Sequence, residues 1–349
     1  MVYWGASAHR FPFTHCKQNA QRADFAYAKK GFIDPWSAVA PGAVKGTILS
    51  LGDELYERAL GAYLGFAVGD ALGATVEFMT PSEIQNTYGM HRDIIGGGWL
   101  KLKPGQITDD TQMSLALGQS IIDSGGWQAT AAADAFVTWL RSKPVDVGNT
   151  CRRGIQRYIT DGTLAGPMNE GDAGNGACMR NLPLALATLN DDEAFAHATL
   201  EQGHLTHHHP LSDAATLALG RMTRTLIRGG GIKECRTEAN RLIGEFPLFR
   251  FEPYPKRASG YVVNSAQTVL YYFFRTDSFE SCVTEVVNCG EDADTNGALA
   301  GMLAGAAYGV SGIPGYWLKK LDKKIKFRIE EQTKALLTLA QNVKAKRGS

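Results

Sequence analysis

Two stretches of this sequence decide its fold, 61-GAYLGFAVGDALG-73 and 297-GALAGMLAGAAYG-309. Each has a glycine at every fourth position, namely Gly61, Gly65, Gly69 and Gly73 in the first, and Gly297, Gly301, Gly305 and Gly309 in the second. This spacing places the glycines on one face of an α-helix. Because each interior glycine costs about 0.5–1 kcal/mol of helix stability relative to alanine, four together require compensation. We expect the two helices to approach more closely at these stripes than the usual spacing of about 8–10 Å.

The ends of the two stripes carry acidic residues. The first stripe ends close to Glu77, and the second begins beside Asp292, Asp294 and Thr295. If the stripes pack together in the core, these distant carboxylates meet at one end of the helix pair. A pair of membrane-spanning helices is the alternative, but Asp70 lies inside the first stripe and the second stripe is only moderately apolar.

The chain beyond residue 52 has apolar periodicities typical of α-helices and hardly any alternation of apolar and polar residues. We therefore predict an all-α fold, a single compact domain of about a dozen helices. Ten helices are predicted directly: Asp110–Ser124, Ala129–Arg141, Cys151–Thr160, Leu182–Thr188, Asp191–Glu201, Ser212–Arg228, Ile232–Glu245, Ser265–Phe274, Ser278–Cys289 and Asp322–Val343.

Composition favours a soluble globular enzyme or binding domain. Of the 349 residues, 44% are hydrophobic and 20% charged, and the formal net charge is +1, so neither disorder nor a nucleic-acid partner is indicated. The six cysteines form no C-x-x-C pair, and no signal peptide or membrane-spanning run is evident, so we expect free thiols and a cytoplasmic location.

We predict an N-terminal extension, residues 1–50, and a domain, residues 51–349. The aromatic residues of the extension could pack on the domain or form a docking arm.

The motif Thr108-Asp109-Asp110-Thr111 opens a predicted helix. Taken alone, it could simply cap that helix, because Asp and Thr are good caps and the helix dipole favours carboxylates in the first turn. A second cluster, 291-EDADTNG-297, also precedes a helix, and Glu77 adds a further carboxylate. Several carboxylates close together repel one another unless cations neutralise them. An all-oxygen set of ligands favours hard ions such as Mg²⁺ or Mn²⁺.

Together, these motifs resemble the ADP-ribosylglycohydrolase family over about residues 55–322. The resemblance rests on Val68–Ala74, on Thr-Asp-Asp-Thr, on Gly-Asn-Gly-Ala-Cys-Met-Arg at Gly174–Arg180, and on Glu-Asp-Ala-Asp-Thr-Asn. It is closest to the branch that acts on dinitrogenase reductase. The resemblance implies an all-α domain with a dinuclear Mn²⁺ or Mg²⁺ site at the base of a cleft.

The resemblance also implies roles for individual residues. The implied metal ligands are Thr108, Asp109, Asp110, Asp292, Asp294, Thr295 and Glu77. The residues implied for catalysis are Asp146, as acid and base, and Asp109. Those implied for substrate binding are Asn149, Gly174, Asn175, Gly176, His207 and Tyr261. Asp146 could otherwise be a turn residue, Gly174–Gly176 a plain turn, and Tyr261 a core residue. The three adjacent histidines cannot all ligate one ion, because their side chains point in different directions; they are His207, His208 and His209.

The activity implied is hydrolysis of the bond between ADP-ribose and a protein arginine, which would reactivate ADP-ribosylated dinitrogenase reductase. Family members of that branch are also regulated by PII signalling proteins, some through reversible membrane association, so PII is a candidate partner. Two alternatives remain open from the sequence: a hydrolase of another ADP-ribose linkage or of a pyrophosphate, and a non-catalytic ADP-ribose binding protein. Loss of metal ligands would be expected in the binding protein, and here the acidic set is complete.

Overall fold

A computed structural model describes residues 52–347, and this part of the chain folds into fourteen α-helices without a β-strand. The predicted all-α fold is confirmed. The helices are α1 (Asp53–Gly73), α2 (Pro81–Tyr88), α3 (Asp109–Asp123), α4 (Ala129–Arg141), α5 (Asn149–Asp161), α6 (Leu182–Ala187), α7 (Asp192–His204), α8 (Pro210–Ile227), α9 (Ile232–Glu245), α10 (Val262–Phe273), α11 (Phe279–Val287), α12 (Ala293–Tyr308), α13 (Gly315–Lys320) and α14 (Lys323–Arg347). The predicted extension, residues 1–50, lies outside the described residues, and the division of the chain at residue 50 stays a prediction.

Helices α1 and α12 form the centre of the fold and run antiparallel along their glycine faces. A Cβ atom built on Gly69 would lie 1.9 Å from the carbonyl oxygen of Gly297, and one on Gly65 would lie 2.3 Å from that of Gly301. The reciprocal distance from Gly301 to the carbonyl oxygen of Gly65 is 2.0 Å. No side chain larger than glycine fits at such a contact, which confirms the close approach predicted from the stripes.

Gly309 differs from the other stripe residues. It follows the last residue of α12 with a φ of 67°, and a Cβ built on it would meet nothing closer than 3.8 Å. Its backbone nevertheless packs on the glycine face of α1, since a Cβ built on Gly61 would lie 2.7 Å from the carbonyl carbon of Gly309. Its positive φ, which ends the helix, is what requires glycine there.

Two short helices, α2 and α13, were missed because their apolar periodicity is weak, and α13 buries only Trp317. Helix α2 buries only Ile84 and is defined instead by a capping box between Thr80 and Glu83. Helix α10 begins at Val262, three residues before the predicted start at Ser265. The predicted helices Ala129–Arg141 and Ile232–Glu245 match the observed bounds, and the others differ by at most four residues at either end.

The antiparallel packing also fixes where the acidic residues lie. The C-terminal end of α1, which leads to Glu77, is adjacent to the N-terminal end of α12, where a Cβ on Gly73 would lie 2.1 Å from the carbonyl oxygen of Ala293. Among the described helices, none is both long and apolar enough to span a membrane. The contacts between the glycine stripes pack α1 on α12 within the domain.

Candidate active site

A cleft with a volume of about 420 Å³ opens at the end of the α1–α12 pair. Its size lies in the range of small-molecule sites, about 300–1,000 Å³. All the predicted site residues except Thr108 and Tyr261 line it. The lining residues are Glu77, Phe78, Trp99, Asp109, Asp110, Asp146, Val147, Gly148, Asn149, Thr150, Cys151, Gly174, Asn175, Gly176, Met179, His207, Gly260, Asp292, Asp294 and Thr295.

The carboxylates at the base of this cleft come from separate parts of the chain. Carboxylate oxygens of Glu77, Asp146 and Asp294 all lie within 4.8 Å of one another. Asp109 and Asp110 begin α3 beside them, and Asp292 precedes α12. The packing of α1 against α12 thus brings together acidic residues that are more than two hundred positions apart. Asp146 also lies within this group of possible ligands, although the sequence indicated it only as an acid and base.

Helix capping does not explain the two acidic motifs. Thr108 precedes α3 and Asp292 precedes α12, and neither side chain makes a capping hydrogen bond. The Thr108 hydroxyl lies 3.0 Å from Asp70 Oδ1 and 3.1 Å from Asp110 Oδ2, which explains why it does not line the cleft. Asp292 accepts a hydrogen bond from the side-chain amide of Asn175. The side chains of both motifs therefore point toward the shared acidic centre.

Burial and mutual repulsion raise the pKa of these carboxyl groups. Burial, followed by the charges of nearby carboxylates, raises the pKa of Asp110 and Asp294 well above the usual value. Burial chiefly raises the pKa of Glu77 to about 8 and that of Asp109 to about 7. Among the described residues, no lysine or arginine lines the cleft.

This donor set fits divalent cations. Its donors are carboxylate and hydroxyl oxygens, the ligands that hard cations prefer. The Oδ1 atom of Asp110 is buried and has no hydrogen-bond partner among the described residues. A buried, unpaired carboxylate oxygen is costly unless it is hydrogen-bonded or coordinates a metal. The sequence motifs and this unpaired atom both indicate a metal centre.

Asp70 supports this centre and was missed as a site residue. It is fully buried in α1 and accepts hydrogen bonds from the backbone N–H groups of Thr108, at 3.0 Å, and Thr111, at 3.1 Å, and from the Thr111 hydroxyl. These bonds hold the start of α3 against α1, so that Asp109 and Asp110 face the cleft. An acidic residue inside a glycine face was the available signal, because a buried carboxylate requires partners.

Comparison with known proteins agrees with this geometry. The sequence model of the family "ADP-ribosylglycohydrolase" matches residues 51–346. The chain belongs to the ADP-ribosylglycohydrolase family. This family assignment confirms the resemblance that the motifs indicated, and the matched residues include every carboxylate of the cleft.

Members of the family include relatives with assigned activities. The chain is 59% identical over 289 residues to the ADP-ribosyl-[dinitrogen reductase] glycohydrolase of Rhodospirillum rubrum, covering 83% of this chain and 98% of that protein. It is 31% identical to the ADP-ribosylarginine hydrolase Tri1 of Serratia proteamaculans, over 77% of this chain and 76% of that one. A solved structure, described as an ADP-ribosylglycohydrolase-related protein complex, superposes with a TM-score of 0.74 at 34% identity and covers 82% of this chain and 99% of its own.

In this family member, His207 is held in one orientation by a buried network. Arg180 Nη2 donates to the Thr206 hydroxyl oxygen at 2.6 Å, and that oxygen lies 2.7 Å from His207 Nδ1. The Thr206 hydroxyl can donate its own proton to His207 Nδ1, and in that tautomer the ring proton lies on Nε2. Burial, and then the charge of Arg180, lowers the pKa of His207 well below its usual value. The ring is therefore neutral, and in that tautomer it presents an N–H donor to the cleft.

The other two histidines have different roles, as expected from their diverging directions. His208 Nδ1 lies 2.6 Å from the carbonyl oxygen of Gly166, and its ring stacks on that of His204. His209 precedes α8 and its Nδ1 accepts from the N–H of Leu211. Only His207 lines the cleft.

The predicted substrate-binding residues other than Tyr261 line the same cleft as the acidic residues. Gly174 and Gly176 pack on the His207 ring, and a Cβ on Gly176 would lie 2.5 Å from its Cε1 atom. Close packing on this ring, which the sequence did not indicate, is one reason for glycine at both positions. Asn149 lines the cleft at the start of α5. Tyr261 is 40% exposed beside Gly174, to which it is linked by an isolated β-bridge, so it is not a core residue.

Proposed function

We infer that this protein hydrolyses the N-glycosidic bond between ADP-ribose and an arginine side chain of another protein. The observation that carries this function is the convergence, at the base of one cleft, of acidic residues that follow α1, begin α3 and flank the start of α12. Two relatives also support this function, because one is named as a glycohydrolase of ADP-ribosyl-[dinitrogen reductase] and the other as an ADP-ribosylarginine hydrolase. We propose ADP-ribosylated dinitrogenase reductase as the target.

We propose that two divalent cations, Mn²⁺ or Mg²⁺, bind at the acidic centre. The ligands would be Thr108, Asp109, Asp110, Asp292, Asp294 and Thr295, with Glu77 as a ligand directly or through water. When bound, such ions polarise ribose hydroxyls and activate water. The unpaired Oδ1 atom of Asp110 and the raised pKa values of the neighbouring carboxyl groups support this assignment.

The protein groups around the centre would orient the sugar and move the proton. The Nε2–H group of His207 can donate to an oxygen of ADP-ribose, and backbone N–H groups of Gly174–Gly176 can approach phosphate or ribose oxygens. The guanidinium is a poor leaving group until its nitrogen is protonated. Asp146 lies within 4.8 Å of Glu77 and Asp294 and has a pKa raised by burial, so it can hold the proton that the leaving nitrogen requires. Asp109 accepts a hydrogen bond from the N–H of Gly148 at 3.3 Å and would assist the proton transfer from the same side of the cleft as Asp146.

Product analysis tests the proposed function. Incubation of an arginine-ADP-ribosylated protein with the enzyme and Mn²⁺ should release intact ADP-ribose, and EDTA should stop the release. Appearance of AMP would instead indicate pyrophosphate cleavage. Binding without any product would indicate an ADP-ribose binding protein, and release only from another linkage, such as serine, would show that the acceptor assignment is wrong.

Replacement of Asp146 by Ala separates proton transfer from metal binding. We expect turnover to fall by about 10²- to 10⁴-fold, because a positioned acid or base typically contributes that much. Metal binding, measured by calorimetry with Mn²⁺, should be largely retained. Asp161→Asn at the exposed end of α5 is the control and should behave as the wild type. Unchanged turnover would refute the role of Asp146, whereas loss of Mn²⁺ binding would make it a ligand.

The site of action and a regulatory partner follow from the same family branch. We propose a cytoplasmic location with reversible membrane association through a partner, and a PII protein as that partner. Fractionation of cells before and after an ammonium pulse tests both, because movement to the membrane should occur together with PII. Distribution that is independent of both ammonium and PII would contradict the proposal.

A further inference from the structure

Two aromatic side chains at the mouth of the cleft are exposed although they contact each other. Phe78 is 66% exposed and Trp99 is 51% exposed, and their ring centroids lie 5.3 Å apart. Neither ring belongs to the hydrophobic core. Large apolar groups left uncovered beside a polar cleft mark a surface that a ligand can cover.

The backbone holds Phe78 in this position at a cost. Its φ is 62°, a conformation that residues other than glycine rarely adopt. The Phe78 N–H donates to the carbonyl oxygen of Glu291 at 2.6 Å, and Glu291, with a φ of 53°, donates its own N–H to the carbonyl oxygen of Met79 at 2.8 Å. Because the ring is mostly exposed, burial of the side chain contributes little to offset the strained backbone. Such strain is typical of functional positions.

Trp99 is held as firmly as Phe78. It lies in a tight turn closed by reciprocal hydrogen bonds between Gly97 and Leu102, at 2.8 and 2.9 Å. The turn is packed so closely on the end of α1 that a Cβ on Gly98 would lie 2.4 Å from the carbonyl oxygen of Ala74. The indole N–H of Trp99 donates to Glu77 Oε2 at 2.6 Å. The aromatic pair is therefore a rigid surface directly beside the acidic centre.

We propose that Phe78 and Trp99 form the subsite that binds the arginine side chain on the acceptor side of the scissile bond. This inference rests on the proposed function, in which the acidic centre holds the ribose attached to arginine. The group bonded to that ribose must lie next to Glu77, where the pair is, whereas the adenine lies a diphosphate and a second ribose away. The charge also matches, because a guanidinium is attracted both by the faces of aromatic rings and by the carboxylates of Glu77 and Asp146.

The substitution Phe78→Gly tests the subsite without endangering the fold, since glycine adopts a positive φ at no steric cost. We expect KM for an ADP-ribosyl-arginine peptide to rise by about 3- to 30-fold, the range that loss of one cation–π contact predicts. Binding of free ADP-ribose in the presence of Mn²⁺ should be unchanged. Phe78→Tyr, which keeps the ring, should retain the wild-type KM. Lys256, whose φ is 57°, also has a strained backbone. Lys256→Gly therefore controls for the release of backbone strain and should retain the wild-type KM.

The outcomes separate this inference from the proposed function. Wild-type KM in Phe78→Gly, with normal release of ADP-ribose, would overturn the subsite alone. Weaker binding of free ADP-ribose by Phe78→Gly would assign the pair to adenine and would also overturn it. Absence of ADP-ribose release by the wild-type enzyme would overturn the proposed function and, with it, the subsite.

Discussion

Replacement of Asp294 by Asn should abolish the stabilisation of the protein by Mn²⁺ and lower turnover at least about 100-fold. This loss of turnover exceeds the loss expected for a residue that only orients a metal ligand. Asp294 is buried at the start of α12, and this burial, followed by the charges of Glu77, Asp110 and Asp292, raises its pKa. In the metal-free protein, the substitution removes one buried carboxylate from a cluster of carboxylates that repel one another. We therefore expect the metal-free variant to be at least as stable as the metal-free wild type.

Thermal unfolding with and without Mn²⁺ measures both effects. The wild type should gain stability when Mn²⁺ is added, because a ligand that binds only the folded state stabilises it. The Asp294→Asn variant should gain little. Asp123→Asn, at the exposed far end of α3, removes the same charge away from the cleft and should keep the full response. An Asp294→Asn variant that binds Mn²⁺ and turns over as the wild type does would exclude Asp294 from the metal centre.

Replacement of Gly69 by Ala should destabilise the whole domain by at least about 3 kcal/mol, the upper part of the range for overpacked cores. The added methyl group would lie 1.9 Å from the carbonyl oxygen of Gly297, and this atom is backbone, so it cannot move without displacing α12. The same displacement would separate Glu77 from Asp294. We therefore expect weaker Mn²⁺ binding in whatever fraction remains folded.

Urea unfolding provides the measurement, and α9 provides the control. Gly244 also lies within a helix, but a Cβ built on it meets no atom within 4 Å. Gly244→Ala should therefore raise stability by about 0.5–1 kcal/mol through helix propensity alone. If Gly69→Ala unfolds at the wild-type urea concentration, the close packing of α1 on α12 is not required for stability.

The helical fold could be predicted because its signals are local. The four-residue spacing of Gly61, Gly65 and Gly69 indicates a helix face without side chains, whatever packs on it. The sequence also predicted that a second such face, on Gly297, Gly301 and Gly305, would be its partner. Gly309 marks the limit of this signal, since glycine at a helix end and glycine in a packing face have the same spacing.

Much of the candidate site was also predictable, because its acidic residues lie in compact motifs at helix starts. The support of those motifs was not, since Asp70 acts through hydrogen bonds to Thr108 and Thr111, which are about forty positions away. Arg180 and Thr206 were missed for the same reason. Their effect on His207 depends on which atoms meet in the buried interior, and no spacing along the chain records that contact.

By itself, the sequence determined the helices, the two glycine faces and the chemical character of the acidic motifs, because each depends on residues within a few turns of one another. Only the tertiary structure decided that α1 and α12 run antiparallel, that Asp146 joins Glu77 and Asp294, and that Phe78 and Trp99 stay exposed beside them. These features depend on contacts between segments far apart in the chain. Their positions are set by how the whole set of helices fills the core.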